Sequence, residues 1–353
     1  MSELKEAMFY EKVPDSKVHC FLCPWHCKIA PGKGGFCGVR QNIEGKLYSL
    51  IYGKVSSLAI DPIEKKPLFH FYPGSSVLSL GTYGCNMRCG HCQNWQISHV
   101  SMVKSAEGKT SFVEKEPISE YILPERLIEM AKEKNCAGIA WTYNEPIIWF
   151  EYTYDGAILA KKNNLYSVYV TNGYMTFEAL DTIGPYLNAF RVDVKGFTND
   201  LYLKLAKIKD FKPVLESAER AKKKWGMHVE IVTLVIPTMN DDEAQLKGIA
   251  EWIRDKLGKE TPWHVTRFMP YLEYSHLPPT PIETLEKAQK IGFDAGLQFV
   301  YIGNVPGHKG ENTYCPNCKN LLIRRIGYET EIEHVRAGKC EICGQDLNVR
   351  SLS

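Results

Sequence analysis

Gly84-Cys85-Asn86-Met87-Arg88-Cys89-Gly90-His91-Cys92-Gln93-Asn94 is the stretch on which the reading of this chain turns. Cys85, Cys89 and Cys92 form a C-x-x-x-C-x-x-C triplet. Three thiolates that close together can ligate three irons of a [4Fe-4S] cluster. No fourth cysteine follows nearby, so one iron would stay open to substrate or cofactor. Structural zinc sites usually come as two separated C-x-x-C pairs, which opposes a zinc reading of the triplet.

Outward from the triplet, residues 75–308 alternate short apolar β-rich runs with longer helical patterns. Strands are expected at 77–80, 138–142, 167–171, 189–194, 229–235, 264–268 and 299–302. Helices are expected at 124–134, 150–163, 215–224, 242–257 and 282–296. Alternating βα units imply an α/β fold with a parallel sheet and helices outside it. The run Glu230-Ile231-Val232-Thr233-Leu234-Val235 suits a strand buried on both faces. Periodicity alone leaves an open doubly wound sheet and a barrel equally possible. Either would put the active site at the C-terminal ends of the strands. Those ends are polar: Trp141-Thr142-Tyr143-Asn144-Glu145-Pro146, Thr171-Asn172-Gly173, Asp193-Val194-Lys195, Ile236-Pro237-Thr238-Met239-Asn240-Asp241, Arg267-Phe268-Met269-Pro270-Tyr271 and Gly303-Asn304. The stretches 101–117 and 272–281 are long enough to be lids or solvated connections.

Twelve cysteines among 353 residues is a high count, and their grouping is informative. Cys20, Cys23, Cys27 and Cys37 fall in an N-terminal segment, taken with its Pro-containing connection as residues 1–74. Cys315, Cys318, Cys340 and Cys343 fall in a C-terminal segment, 309–353. Tight clusters in a chain whose start lacks the basic-then-apolar pattern of a signal peptide read as metal sites in a reducing cytoplasm. The C-terminal pairs, Cys315-Pro316-Asn317-Cys318 and Cys340-Glu341-Ile342-Cys343, are a strong zinc-ribbon signal. That segment is too short for its own core, so metal would supply its folding energy. Electron relay through iron is the alternative there. The N-terminal set fits zinc or iron–sulfur ligation, with His19 and His26 as possible substitutes and a slight preference for zinc. Cys136 stands alone and reads as a buried core thiol.

The remaining composition is ordinary. Hydrophobic residues make up 44% and charged residues 24%, and the net charge is +2. Nothing points to a nucleic-acid or membrane surface, and no apolar run reaches the ~18 residues of a membrane span.

The triplet resembles the cluster loop of radical S-adenosylmethionine (SAM) enzymes. Cys92-Gln93-Asn94-Trp95 resembles the branch related to pyruvate formate-lyase activating enzyme. The whole chain resembles the radical SAM member of the AmmeMemoRadiSam group. That likeness rests on the N-terminal cysteine set, Glu64-Lys65-Lys66-Pro67, the cluster loop, Tyr143-Asn144-Glu145-Pro146 and the terminal ribbon. It implies a partial (β/α)6 barrel whose first strand feeds the cluster loop. It also implies a [4Fe-4S] cluster and SAM as cofactors, and an electron donor such as ferredoxin or flavodoxin. Memo-like and AMMECR1-like proteins become candidate partners, with a protein or small-molecule substrate unidentified.

The resemblance carries over to single residues. His91 stands where an aromatic or apolar residue usually packs near the adenine. Tyr143, Asn144 and Glu145 occupy the place of a Gly-Gly-Glu stretch, with Glu145 the candidate for the methionine amine; capping of the next helix is its alternative role. Asn172 with Gly173, and Asp193 with Lys195, match further cofactor or substrate contacts, although Asp193 and Lys195 could equally form a strand-end ion pair. Three functions follow: hydrogen abstraction by a 5'-deoxyadenosyl radical, activation of a glycyl-radical enzyme, or a non-catalytic metal-ribbon module. Arg325-Ile326-Gly327-Tyr328 is one residue short of a glycyl-radical motif and reads as a turn.

Overall fold

The computed structural model describes residues 4–103 and 119–351. The expected lid at 101–117 lies outside the described residues from 104 onward. The fold is mixed α/β. Its centre is an eight-stranded sheet in which seven parallel strands, Ser76–Gly81, Gly138–Trp141, Tyr166–Thr171, Ala189–Asp193, His228–Val235, Trp263–Arg267 and Val300–Gly303, lie in chain order. A doubly wound sheet reverses its strand order at a switch point; this one does not. An eighth strand, Ser57–Pro62, pairs antiparallel to Ser76–Gly81 and forms one edge. It was not expected from sequence, where residues 61 and 62 read as the start of a connection.

The expected helices are present within a few residues: Pro124–Glu133, Phe150–Lys162, Lys212–Lys223, Glu243–Trp252 and Ile282–Asp294. Residues 253–257 continue as a π-helical turn that Gly258 ends with a φ of +96°. Two short helices, Phe177–Ile183 and Asn199–Ala206, were not anticipated, because seven or eight residues give too few turns for a periodic signal.

The two sheet faces are covered differently, and the difference makes the site. One face packs on the helices: Leu80, Trp141, Tyr169, Phe190 and Ile231 belong to the main apolar core. On the other face, Val77, Ala140, Tyr166, Val168 and Ala189 pack against Ile63, Leu68 and Phe71 of the connection. Below these, Glu230 is fully buried and accepts from the Phe69 and His70 backbone N–H groups, with His228 and His264 on the same carboxylate. The connection thus fills the inner face at the N-terminal ends of the strands and leaves the C-terminal ends free.

The C-terminal segment is built onto this base. Phe69, Phe299 and Tyr301 share a core with Cys315, Leu322, Ile323, Cys340 and Leu347. Buried Arg325 donates to the Phe69 carbonyl and lies 4.1 Å over its ring. The expected turn at 325–328 is narrower: Arg325 and Ile326 end the strand Leu321–Ile326, and only Gly327, with φ +63°, and Tyr328 turn.

Candidate active site

A cavity of about 460 Å³ opens at the C-terminal ends of the parallel strands. Register explains the convergence: Leu80, Trp141 and Tyr169 are level across the first three strands, so the segments that follow leave the sheet along one rim. Cys85, Cys89, Cys92, His91, Tyr143, Asn144, Glu145, Asn172, Asp193 and Lys195 all line the cavity. Gly173 is not among the lining residues. Its φ of +73° needs glycine, and a Cβ there would press within 3.0 Å of Val192 and Ser217.

The cluster loop is held from several sides. The Asn144 amide donates to the Gly84 carbonyl, and its oxygen accepts from the Thr82 N–H. Asn94 donates to the Tyr143 carbonyl at 2.6 Å. Asn172 donates to Asn86, and its amide lies 3.7 Å from the Cys85 sulfur. Met87 N–H points at the same sulfur from 3.4 Å. Gly90 N–H donates to the Leu205 carbonyl. From the stretch 272–281, Glu273 approaches Gly90 and Tyr274 is stacked parallel to His91 with ring centroids 6.2 Å apart.

Burial sets the titration of these groups. It raises the thiols of Cys85 and Cys92, and that of Cys89 to about 11. It lowers His91 to about 3, so the imidazole is neutral, and its Nδ1 is buried without a partner. Glu145 is 2% exposed, and burial raises it to about 7. Its oxygens accept from the N–H of Ile147 at 3.0 Å, the Thr171 hydroxyl at 2.7 Å and the N–H of Asn172 at 2.7 Å. The carboxylate caps the short helix Pro146–Trp149, which is the alternative role considered from sequence. Asp193 lies between Arg191 and Lys195. Enclosure favours its neutral form, but the two cations hold it below its ordinary value.

Other lining residues were not anticipated. Lys65 and Lys66 reach the cavity from the connection, Arg191 and Thr266 from the sheet, and Tyr328 from the C-terminal hairpin. Buried Asp61 gathers Lys65 at 2.8 Å, Lys66 at 2.6 Å and the Tyr143 hydroxyl at 2.9 Å. Glu64-Lys65-Lys66-Pro67 was available in the sequence only as a mark of resemblance, with no periodicity to place it beside strand ends.

The donor sets differ in spread. The sulfurs of Cys315 and Cys343 are 3.5 Å apart, and those of Cys318 and Cys340 3.8 Å apart. Four thiolates ~2.3 Å from one zinc stand about 3.8 Å from each other, so this set fits a single tetrahedral ion. Among the described residues it is the only group of three or more such ligand atoms all within 4.8 Å of one another. The triplet sulfurs line one cavity without all lying within that distance of one another. This suits a polynuclear cluster, whose thiolates sit on different irons. The partnerless His91 nitrogen and the open cavity beside the triplet likewise suit a bound organic cofactor.

Residues 79–247 match the family described as the Radical SAM superfamily. An uncharacterized protein of Methanocaldococcus jannaschii is 47% identical over 348 residues, covering 98% of this chain and 99% of its own. Among solved structures, a domain of pyruvate-formate lyase-activating enzyme from Bacteroides vulgatus has a TM-score of 0.41 at 18% identity, over 48% of this chain and 99% of that one. A radical SAM methyltransferase from Sphaerobacter thermophilus has a TM-score of 0.48 at 15% identity, over 68% and 71%. The chain belongs to the family of the Methanocaldococcus jannaschii relative, and its residues 79–247 match the Radical SAM superfamily, whose members are generally enzymes that use a [4Fe-4S] cluster and SAM. No helix among the described residues is long and apolar enough to cross a membrane.

Proposed function

We propose that this chain is a radical SAM enzyme that generates a 5'-deoxyadenosyl radical and abstracts hydrogen from a substrate. One observation carries the reading: the three triplet cysteines and nearly every strand-end polar residue expected to serve SAM line one cavity, inside a matched radical SAM domain. When bound, the cluster and SAM would supply the electron and the carbon–sulfur bond whose cleavage yields the radical.

The protein's part is to hold, orient and shield. Cys85, Cys89 and Cys92 would ligate three irons and leave the fourth toward the cavity. His91, neutral and stacked with Tyr274, would present a flat face to the adenine. Glu145 already accepts three hydrogen bonds, so a contact with the methionine ammonium would use its one remaining lone-pair direction. Asp193, tied to Arg191 and Lys195, offers a fixed anionic edge, and Lys195 a cation for a carboxylate. Helices on one sheet face would keep water from the back of the site. The architecture we infer is a partial (β/α)6 barrel.

Within the superfamily we assign the chain to the AmmeMemoRadiSam group. The cysteine sets flanking the barrel and Glu64-Lys65-Lys66-Pro67 support this. Memo-like and AMMECR1-like proteins are then the partners to try, in the cytoplasm, with ferredoxin or flavodoxin as donor and zinc in the C-terminal set.

Anaerobic reconstitution with iron and sulfide, reduction in the presence of SAM and assay of 5'-deoxyadenosine test the reaction. Product that disappears when Cys85, Cys89 and Cys92 are changed to alanine is expected. A reduced cluster that leaves SAM intact even with candidate substrates present overturns the reading.

A further inference from the structure

The N-terminal segment brings its four cysteines to one place. Cys20 and Cys27 face each other across the antiparallel pair Lys17–Cys20 and Cys27–Ile29. Cys23 lies in the connecting turn, where its carbonyl accepts from the His26 N–H. Cys37 comes from the next loop, and all four line one small cavity with Arg40 at its wall. His19 and His26 do not: their rings are hydrogen-bonded to each other at 3.2 Å, outside the cavity.

The spacing of these sulfurs is wrong for a single ion. Among the described residues only the C-terminal set has three or more ligand atoms within 4.8 Å of one another, so no three N-terminal sulfurs do. The space they line is wrong for a single ion as well. Sulfurs ~2.3 Å from a zinc leave no gap between them, whereas these line, with Leu22, Ile29, Phe36 and Arg40 among others, a cavity of about 20 Å³, room for the centre of at least one water-sized sphere. A cubane fits both observations, because each thiolate binds its own iron at a corner and the body of the cluster fills the middle.

Arg40 supplies an independent sign of what that middle holds. It is 1% exposed. Its Nη2 donates to the Met8 carbonyl and to Glu151 at 2.7 Å each, while Nε and Nη1 have no partner. Unpaired donors of a buried guanidinium are strongly unfavourable. Arg40 is one of the residues that line this cavity, and an anionic group carrying sulfur acceptors there would satisfy such donors. A thiolate-ligated iron–sulfur cluster is such a group, and hydrogen bonds and charge at its sulfurs tune its potential.

We propose that Cys20, Cys23, Cys27 and Cys37 hold a second [4Fe-4S] cluster, fully ligated by protein, distinct from the one the triplet would carry. The slight preference for zinc from spacing alone is thereby reversed. The second site shares a wall with the first. The Trp25 indole donates to the Asn86 carbonyl at 2.7 Å, and Arg88 donates to the Phe36 carbonyl at 2.8 Å. Gly84 meets the Cys37 carbonyl so closely that a Cβ would lie 2.6 Å from it.

Metal content of the full chain tests this without any turnover. After anaerobic reconstitution with iron and sulfide in the presence of zinc, the Cys85/Cys89/Cys92→Ala variant is expected to keep one cluster equivalent. Its electron paramagnetic resonance signal on reduction should be indifferent to SAM. Cys20→Ser with Cys37→Ser should lose one equivalent relative to the unaltered chain and retain a signal that SAM perturbs. Should a variant fail to fold, as judged by circular dichroism, the unaltered chain decides alone. Two cluster equivalents and one zinc support the proposal; one cluster and two zinc overturn it. Absence of 5'-deoxyadenosine would count against the radical reaction and leave this metal count standing.

Discussion

The N-terminal and C-terminal cysteine sets have the same four ligands at similarly short spacings, yet the fold presents them in opposite ways. In the C-terminal set the sulfurs approach to 3.5 and 3.8 Å, and Cys343 is exposed. Hydrogen bonding lowers the thiols of Cys318, beside Asn320, and Cys343, while burial raises that of Cys315. In the N-terminal set the sulfurs stand apart around a cavity, and burial raises Cys23, Cys27 and Cys37, the last to about 11. A C-x-x-C spacing therefore names the ligand and leaves the number of metal atoms open. That number depends on how far the strands behind the loops hold the sulfurs from a common centre.

Mutation should have its strongest effect in the C-terminal set. Cys340→Ala should abolish zinc binding there, removing a contribution on the order of 10 kcal/mol in small zinc-held segments. Hydrogen exchange is expected to show lost protection across 313–350, with cluster content at the N-terminal set unchanged. Because that segment shares Phe69, Phe299 and Tyr301 with the sheet, retained protection would mean that apolar packing alone holds it.

Next in size is Arg40→Ala, which leaves Glu151 buried at 1% exposure beside an unoccupied guanidinium site. Breaking one side of a buried pair lowers stability by about 3–5 kcal/mol, measurable by urea unfolding of the metal-free chain. A loss below 1 kcal/mol would show that Arg40 is not the anchor of the N-terminal set.

The triplet, between the two sets in sequence, is sharpened by pH. Glu145 titrates near 7 when folded against an ordinary value of 4.5, so the fold favours its protonated form. Its stability contribution is full below about pH 4.5 and is lost as pH rises through 7, by about 3 kcal/mol in all. The unfolding free-energy difference between the unaltered chain and Glu145→Gln should fall by that amount from pH 4.5 to 8. A difference that is flat with pH would mean the carboxylate is ionised throughout. The smallest effect expected is that of Thr171→Val, which removes one bond to Glu145 and should lower stability by about 1 kcal/mol.

Much of the site was legible because the signals were local. The triplet, the positions of Glu145, Asn172, Asp193 and Lys195 at strand ends, and all seven parallel strands follow from short spacings and apolar runs, whereas the role of those four residues as cofactor contacts comes only from the family resemblance. Lys65, Lys66 and Tyr328 were not legible as cavity residues. They arrive from a connection and a hairpin far away in sequence, and no period links them to the strands they face. Glu145 shows the reverse: its position was readable, but its three hydrogen bonds to Ile147, Thr171 and Asn172 were not.

Along the chain one can read which residue types could ligate metal, the alternation of strands with helices, and the polar end of the sheet. Ligand type, apolar period and turn residues are properties of neighbours along the chain. Packing in three dimensions sets the chain order of the strands, the plug of residues 63–72 at one end of the inner face, and the placing of four sulfurs within 4.8 Å of one another at one site and around a cavity at the other. Those are distances between segments far apart in the chain, fixed by packing on both faces of the sheet, and spacing along the chain does not encode them.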